Sequence, residues 1–195
     1  DEVRHVWHGD KSGEWYCWVG NGWSRNCIPA IHQKAIATVR SIYSEASRED
    51  DLATRASISR HAISSESAKL TDAMLRTAAK MPTVAASVDD FDRQPFLFNV
   101  QNGTIDLTTG KLRPHERTDF ITKTAPVKFD PAATCPRWEA FVKSVFNEPE
   151  LIAFIQRLLG YCCTGDVSEH VLPIFWGGGA NGKSTLVNVM AEILG

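Results

Sequence analysis

The sequence has neither a long apolar run nor an excess of positive charge. No stretch of about 18 apolar residues occurs, so we expect no transmembrane helix. No basic segment precedes an apolar one, and we therefore expect no secretory signal. The formal net charge is −2, which excludes electrostatic attraction of the whole chain to DNA. A DNA-binding role would therefore need a local basic patch.

Cysteine is sparse and is not spaced for metal or disulfide chemistry. The number is odd, two cysteines are adjacent, and no C-x-x-C spacing occurs among Cys17, Cys27, Cys135, Cys162 and Cys163. This pattern is typical of neither a disulfide framework nor a zinc site. We expect reduced thiols and a cytoplasmic protein. Because the chain starts at Asp1 and not at Met, we also expect it to be a piece of a longer protein.

The first 26 residues are rich in tryptophan. Short aromatic runs that contain Trp7, Trp15, Trp18 and Trp23 are separated by turn signals at Gly9-Asp10, Ser12-Gly13 and Gly20-Asn21-Gly22. Aromatic runs between such turns predict a small aromatic β-meander over residues 1–26. Tryptophans in a sheet can stack on bases, but they more often form the core of the sheet.

Residues 29–81 predict a helical region. Between Pro29 and Ser47, apolar residues recur at intervals of three and four residues, which is typical of a helix. Residues 48–66 are polar and predict short helices or a mobile loop. A last helix over 65–81 would turn Leu70, Met74, Leu75 and Ala78 inward. Its exposed face would carry Lys69, Arg76 and Lys80, which are candidate DNA contacts or a solvated helix surface.

Residues 95–130 predict β-hairpins. Phe96, Phe98 and Val100 alternate, and Asn102-Gly103 and Thr109-Gly110 supply turns. A further short strand is predicted over residues 121–127. The composition changes after Asp130-Pro131, so we place a first domain at residues 1–134 and a second at 135–195.

Residues 135–195 predict two helices, a strand, a loop and a third helix. The first helix would bury Trp138, Phe141, Val142, Val145 and Phe146. The second would begin after Asn147, bury Leu151, Phe154, Ile155, Leu158 and Leu159, and end at Gly160. The apolar run over 171–176 predicts a buried strand, which Pro173 weakens because it lacks an N–H donor.

The loop that follows this strand carries the candidate chemistry. Residues 177–184 match G-x-x-x-x-G-K-[ST], and Leu186, Val187, Met190, Ile193 and Leu194 would form the buried face of the next helix. In a phosphate-binding loop, glycines let successive N–H groups point at one anion, and the helix dipole favours negative charge there. The candidate ATP contacts are Gly177, Gly178, Gly179, Ala180, Asn181, Gly182, Lys183, Ser184 and Thr185.

Lys183 is the candidate catalytic residue and would reach the β- and γ-phosphates. Ser184 is the candidate Mg²⁺ ligand, so the expected cofactors are ATP and Mg²⁺. Hydrolysis also needs an acidic metal-holding residue and a group that orients water, which follow the loop in such folds. Only residues 186–195 follow Thr185, so we expect this piece alone to be inactive.

Several motifs in a fixed order resemble the primase-helicases of phages and plasmids, which are related to a poxvirus replicative NTPase. The hairpin Phe98–Leu107 with Thr109-Gly110 resembles the family's N-G-x-x-D-L-x-T-G segment. The further motifs that resemble those of the family are Asp119 with Thr122, Asp130-Pro131, Cys135-Pro136-Arg137-Trp138, Gly160-Tyr161 with Thr164-Gly165, and the glycine-rich loop that contains Lys183. Asn181 immediately before Gly182 matches the phage and plasmid branch. The resemblance covers roughly residues 14–195.

The resemblance implies a superfamily 3 helicase, a ring-forming motor that uses ATP to move along single-stranded DNA and unwind duplex. It implies an α+β chain: a mixed helical domain with β-hairpins, then the start of an α/β P-loop domain of AAA+-like type. The expected partners are single-stranded or forked DNA, further copies in a hexameric ring, and a primase module, in the cytoplasm of a bacterial host. Residues 1–134 would load DNA or scaffold the ring.

Two other functions stay open. The chain could be a purely accessory module for DNA binding or oligomerisation, or it could belong to another P-loop NTPase or kinase. A small-molecule kinase would not be expected to carry the hairpin and the Gly160-Tyr161 motif. ATP binding separates the first alternative from a motor.

Overall fold

The computed structural model describes residues 2–8, 12–25 and 27–195. The chain divides into two compact units, one of Asp1–Val19 with Trp23–Phe91, the other of Gly20–Gly22 with Asp92–Gly195. Within these described ranges, six α-helices and two small sheets confirm a mixed α+β chain. The predicted domain boundary at residue 134 lies inside the second unit, and the assignment of residues 135–195 to a motor domain stays a prediction. Among the described residues, none of the helices has both the length and the apolarity that a membrane span requires.

The sheet of the first unit lies where the aromatic runs predict strands. It has the order β3-β2-β1-β4, formed by Trp23–Ser24, Ser12–Trp18, Val3–His8 and Ala85–Ala86. β1 pairs antiparallel with β2 and parallel with the late strand β4, which the sequence did not predict. The predicted turn at Ser12-Gly13 is wrong because both residues lie within β2, and the turn at Gly9-Asp10 falls outside the described residues.

Both faces of this sheet are covered. On one face Cys17, Cys27 and Ile31 form a buried cluster against which Trp15 and Leu75 pack. On the other, the Tyr16 ring stacks on Phe91 with their centroids 4.6 Å apart. Three of the four tryptophans in this segment are buried or half-buried, as expected for a sheet core, whereas Trp7 is 41% exposed.

Three helices complete the first unit: α1 (Ile28–Arg48), α2 (Leu52–Ser65) and α3 (Ala68–Ala78). α1 confirms the periodic segment from Pro29 to Ser47. α2 is one continuous helix in place of the predicted short helices or loop, and the Asp51 side chain caps it by accepting a hydrogen bond from the Thr54 amide (2.7 Å).

The predicted inward face of α3 is confirmed in part, since Met74, Leu75 and Ala78 are half-buried. Leu70 is exposed, and Thr71 occupies the buried position instead, followed by half-buried Leu75 and buried Ala79. These three residues recur every four positions and so share one side of the helix. The prediction for Leu70 was wrong because apolar character alone did not fix which of two adjacent positions faces the sheet.

The second unit contains an antiparallel sheet of β5 (Leu97–Val100), β6 (Gly103–Asp106) and β7 (Lys111–Arg113). It confirms the predicted hairpins, although the first turn is Gln101-Asn102 because Gly103 already belongs to β6. Val100, Ile105 and Ala125 form its buried core. The strand predicted over residues 121–127 does not form; this segment contributes a single bridge between Val100 and Ala125.

The helices of this unit are α4 (Pro136–Val145), α5 (Pro149–Cys162) and α6 (Lys183–Leu194). α4 and α5 lie where predicted, but α5 begins after Glu148 instead of Asn147. It continues through Gly160 because this glycine does not adopt the left-handed conformation that ends a helix. Val142 and Ile155 are buried, whereas the predicted inward residues Leu151 and Phe154 are exposed.

The predicted buried strand over residues 171–176 is wrong. This segment forms no strand, and although Phe175 is half-buried, Leu172 is 84% and Trp176 93% exposed. A parallel strand needs hydrogen-bonding neighbours, and none of the described strands pairs with this segment. In α6 only Leu186 of the predicted buried face is fully buried; Met190 and Ile193 are half-buried, and Val187 and Leu194 are exposed.

Candidate functional site

The loop over residues 177–185 closes on the ammonium group of Lys183. Lys183 Nζ donates hydrogen bonds to the carbonyl oxygens of Gly177 (3.0 Å) and Gly178 (3.1 Å) and to Asn181 Oδ1 (2.6 Å). These three bonds use every proton that a lysine ammonium can donate. The side chain therefore lies across the loop that its own helix begins.

The backbone of this loop is left-handed at Ala180 (φ 57°) and at Gly182 (φ 81°). Asn181, between them, is not left-handed. Alternation of left-handed with ordinary residues makes successive N–H groups converge on one side, which suits an anion. A left-handed alanine is uncommon and costs free energy relative to the ordinary conformation.

Two glycines of the loop have no room for a side chain. A Cβ at Gly182 would lie 2.7 Å from Val145 Cγ2 and 3.0 Å from the Phe141 ring, so the start of α6 packs directly on α4. A Cβ at Gly177 would overlap the Asn181 amide. Gly178 and Gly179 face open space. The sequence motif therefore places glycine both where packing requires it and where the loop is open.

The first turn of α6 offers backbone donors near this loop. No side chain caps the helix at Gly182, and the first amide bonded within the helix is that of Leu186, which donates to the Gly182 carbonyl (3.0 Å). The amides of the preceding turn of a helix have no partner inside it. Ser184 and Thr185 are exposed in this turn. The structure thus brings Lys183, Ser184 and the glycine-rich segment together at one helix start.

The three candidate DNA contacts belong to the first unit, whereas the loop belongs to the second. Lys69 lies in the first turn of α3, Arg76 in its last, and Lys80 just after its end, and all three are exposed. Arg76 and Lys80 line one groove with Trp7 and Trp15, whereas Lys69 does not line it. The sequence indicated the cations but not the tryptophan beside them.

The hairpin that resembles the helicase motif is held by a buried polar network centred on Asn99. The Asn99 side-chain amide donates to the Asn21 carbonyl (2.6 Å) and to the Thr124 hydroxyl (2.9 Å). Its Oδ1 accepts from the Thr104 hydroxyl (2.9 Å) and is 2.8 Å from His115 Nδ1. Because an amide oxygen can only accept, His115 carries a proton on Nδ1. The sequence assigned no role to His115.

Other residues of these motifs also form structural ties. Asn102 exchanges two hydrogen bonds of 2.9 Å with the backbone of Phe129. Arg113 Nη2 donates to buried Asp119 (2.8 Å), and this carboxylate, by hydrogen bond and charge, raises the pKa of Arg113 above its ordinary value. The Gly165 amide donates to the Pro95 carbonyl (2.7 Å). These contacts fix the scaffold and present no reactive group.

The carboxylate of Asp106 closes the turn between β6 and β7. It accepts hydrogen bonds from the hydroxyl (2.6 Å) and the amide (2.8 Å) of Thr108. These bonds, the hydroxyl first, lower the pKa of Asp106 from its ordinary value. The bonded acid is therefore ionised and serves as a turn cap.

The cysteines form no disulfide among the described residues. Burial, together with the neighbouring Cys17 thiol, raises the pKa of Cys27 to about 12, and its Sγ donates to the Trp15 carbonyl (3.3 Å). Thiols with a raised pKa are poor nucleophiles at neutral pH. Cys27 is therefore part of the sheet core and is not a reactive group.

Comparison with known proteins assigns the chain to a family. Residues 1–147 match the family described as D5 N terminal like. Over 110 residues the chain is 28% identical to the protein named "Putative helicase L207/L206" of Acanthamoeba polyphaga mimivirus. That alignment covers 54% of this chain and 12% of the viral protein, so the chain spans a small part of that relative. The family match extends over most of the chain, and we conclude that the chain belongs to the D5 N-terminal-like family.

Proposed function

We propose that the chain is part of a replicative DNA helicase and that residues 177–185 bind the phosphates of ATP. The observation that carries the proposal is the conformation of this loop. Lys183 Nζ lies across a glycine-rich turn with left-handed residues at 180 and 182, at the uncapped start of α6. Such a turn at a helix N-terminus favours a bound phosphate.

The comparisons support the wider assignment. Membership of the D5 N-terminal-like family and a relative named as a helicase favour a module of a replication helicase or primase. The family match ends at residue 147, before the loop. Support for ATP therefore comes from the loop itself and from its sequence pattern.

The residues at the loop fit ATP and Mg²⁺. Lys183 would exchange its bonds to Gly177, Gly178 and Asn181 for bonds to phosphate oxygens, which are stronger acceptors because they are charged. The exposed hydroxyl of Ser184 would ligate Mg²⁺, and the open sides of Gly178 and Gly179 would let the phosphates approach the backbone. When bound, Mg²⁺ would neutralise charge on the phosphates, and hydrolysis of ATP would supply the free energy that drives the motor.

In the whole protein we propose a homo-oligomeric ring that moves along single-stranded or forked DNA, together with a primase module. The first unit would then serve loading or assembly. A purely accessory role for this chain, in DNA binding or oligomerisation without ATP, is the second candidate. The observation that favours it is the groove with Arg76 and Lys80, which lies in the other unit.

Replacement of Lys183 tests the ATP proposal. We expect the Lys183→Ala variant to bind MgATP roughly thirtyfold more weakly than the wild-type chain, since a charge-assisted hydrogen bond contributes about 2 kcal/mol. Isothermal titration calorimetry with the 195-residue chain measures this directly. In the full-length protein the same change should abolish ATP-dependent strand separation.

Lys143→Ala is the matched control. Lys143 is an exposed lysine in the last turn of α4, and its replacement by alanine removes the same positive charge. Its MgATP affinity should equal that of the wild type. Equal MgATP affinities of the Lys183→Ala and wild-type chains would contradict the proposed loop function. A wild-type chain that binds no MgATP would favour the accessory module.

A further inference from the structure

A groove on the first unit combines aromatic and cationic side chains. Its volume is about 400 Å³, within the range of small-ligand sites. Strands β1 and β2 supply His5, Trp7 and Trp15 to one wall, and α3 with the residues after it supplies Arg76 and Lys80 to the other. The groove lies wholly within the unit of Asp1–Val19 and Trp23–Phe91.

Strand register explains why Trp7 is available. His5 and Trp7 are two apart on β1 and so share a face of the sheet, and Trp15 is the cross-strand partner of His5. The partner of Trp7 is Gly13, which has no side chain to cover it; a Cβ there would overlap the His5 ring. The indole of Trp7 consequently remains 41% exposed.

The exposed indole is held in place. Trp7 Nε1 donates to the Ala79 carbonyl at the end of α3 (3.2 Å). The centroids of the His5 and Trp7 rings are 4.6 Å apart, and those of His5 and Trp15 are 4.8 Å apart. A fixed aromatic ring loses little conformational entropy when a flat ligand stacks on it. The groove therefore presents a pre-formed aromatic platform.

The cations at this groove are available to a ligand. Arg25, Lys34 and Arg113 form ion pairs, whereas Arg76 and Lys80 are exposed to solvent. Asp72 also lines the groove, so two cations face one carboxylate. Although the chain as a whole has a net charge of −2, this groove carries a local excess of positive charge.

We propose that this groove binds an unpaired nucleotide of single-stranded nucleic acid, with its base stacked on Trp7 and its phosphate paired with Arg76 and Lys80. Single-strand binding sites combine these elements: an aromatic face that accepts any base, and cations along the backbone. The site deepens the proposed helicase function and involves none of the residues of the 177–185 loop. It would hold the strand without reading its sequence.

Two substitutions of Trp7 distinguish loss of base stacking from loss of the Nε1 hydrogen bond. Trp7→Phe and Trp7→Leu both lose the Nε1 hydrogen bond to Ala79, but only phenylalanine keeps an aromatic face. With the full 195-residue chain and a fluorescein-labelled oligothymidylate at low salt, we expect about tenfold weaker binding for Trp7→Leu. Trp7→Phe should stay within about threefold of the wild type, since every aromatic face can stack on a base. Circular dichroism checks that both variants are folded.

Two further substitutions test the phosphate contacts. Arg76→Ser and Lys80→Ser should each weaken oligothymidylate binding about fivefold at low salt. Arg48→Ser is the matched control, because Arg48 is also an exposed arginine in the last turn of a helix and lies outside the groove. Its affinity should not change. Equal losses in Arg48→Ser and Arg76→Ser would overturn the proposal.

Other probes decide between ligands. Binding of oligouridylate with the same response to Trp7→Leu supports the site and shows that it takes RNA as well as DNA. Tighter binding of polyglutamate than of oligothymidylate would overturn it in favour of an acidic peptide. No difference between wild type and Trp7→Leu would also overturn it. Because the assay contains no ATP, its result does not depend on the 177–185 loop, and loss of MgATP binding in Lys183→Ala is judged separately.

Discussion

Among single residues, Asn99 shows how the motif segment acts through buried hydrogen bonds. Its side chain bonds to partners between 5 and 78 residues away in the sequence, including the Asn21 carbonyl and the Thr104 hydroxyl. Loss of one centre would leave several buried polar groups without partners. The residues that make this hairpin recognisable therefore stabilise a scaffold, and the groups that could act on a ligand lie elsewhere.

Replacement of Asn99 should destabilise the chain. We expect Asn99→Ala to lower the free energy of unfolding by about 3 kcal/mol, because Thr104 and His115 would lose buried hydrogen-bond partners. Urea unfolding followed by circular dichroism measures the change. Asn188→Ala, at an exposed position of α6, should change the free energy of unfolding by less than about 0.5 kcal/mol. A loss for Asn99→Ala no larger than that for Asn188→Ala would contradict this role.

The sequence predicted some of these residues and not others for a physical reason. The turn after β5 is a local preference that adjacent residues predict, but it lies one residue earlier than predicted: Gln101-Asn102 forms the turn, and Gly103 pairs with Val100 in β6. The hydrogen bond between Asn99 and His115 joins residues 16 apart, and nothing local indicates it. Likewise, Arg76 and Lys80 were visible as charges, but their proximity to Trp7 follows from packing of α3 on the sheet.

At the scale of elements, a helix could be predicted from the sequence where it buries several apolar residues along one side. α1 buries four residues, Ile31, Ala35, Val39 and Ala46, which recur at helical spacing. α2 buries only Ala62, so its sequence shows little periodicity although the helix forms. The segment over 171–176 is uniformly apolar, which suggested burial. Burial in a sheet needs a neighbouring strand as well as apolar composition, and none of the described strands pairs with this segment.

Hydrogen exchange tests the state of this segment. Among the described residues, the backbone groups of 171–176 form no strand pairing and no backbone–backbone hydrogen bond. We expect peptides that cover 171–176 to exchange close to the rate of an unstructured reference. Peptides that cover 97–106 should exchange much more slowly because β5 and β6 pair there. Protection of 171–176 equal to that of 97–106 would show that the segment is paired in solution.

At the scale of the whole molecule, the domain organisation expected from composition and the division found in the structure differ. The change in composition after Asp130-Pro131 predicted a boundary at 134, whereas the two compact units divide at 91 and 92. The second unit therefore contains both the motif hairpin and the 177–185 loop. Composition reports what a segment is made of, and long-range packing decides which segments share a core.

Net charge is also a property of the whole molecule, and it limits how this chain can attract DNA. With a net charge of −2, attraction to DNA cannot be diffuse, so any binding must come from local contacts. If Arg76 and Lys80 each neutralise one phosphate, the logarithm of the affinity should fall with the logarithm of salt concentration with a slope of about −1.4.

Titration of the oligothymidylate at several salt concentrations measures this slope. The double variant Arg76→Ser/Lys80→Ser should bring it close to zero, whereas Trp7→Leu should weaken binding without changing the slope, because stacking releases no counterions. A wild-type slope steeper than about −4 would mean that cations outside the groove bind most of the phosphates. A slope that is the same in the double variant and the wild type would place the phosphates away from Arg76 and Lys80. The slope therefore distinguishes a local groove from a wider basic surface.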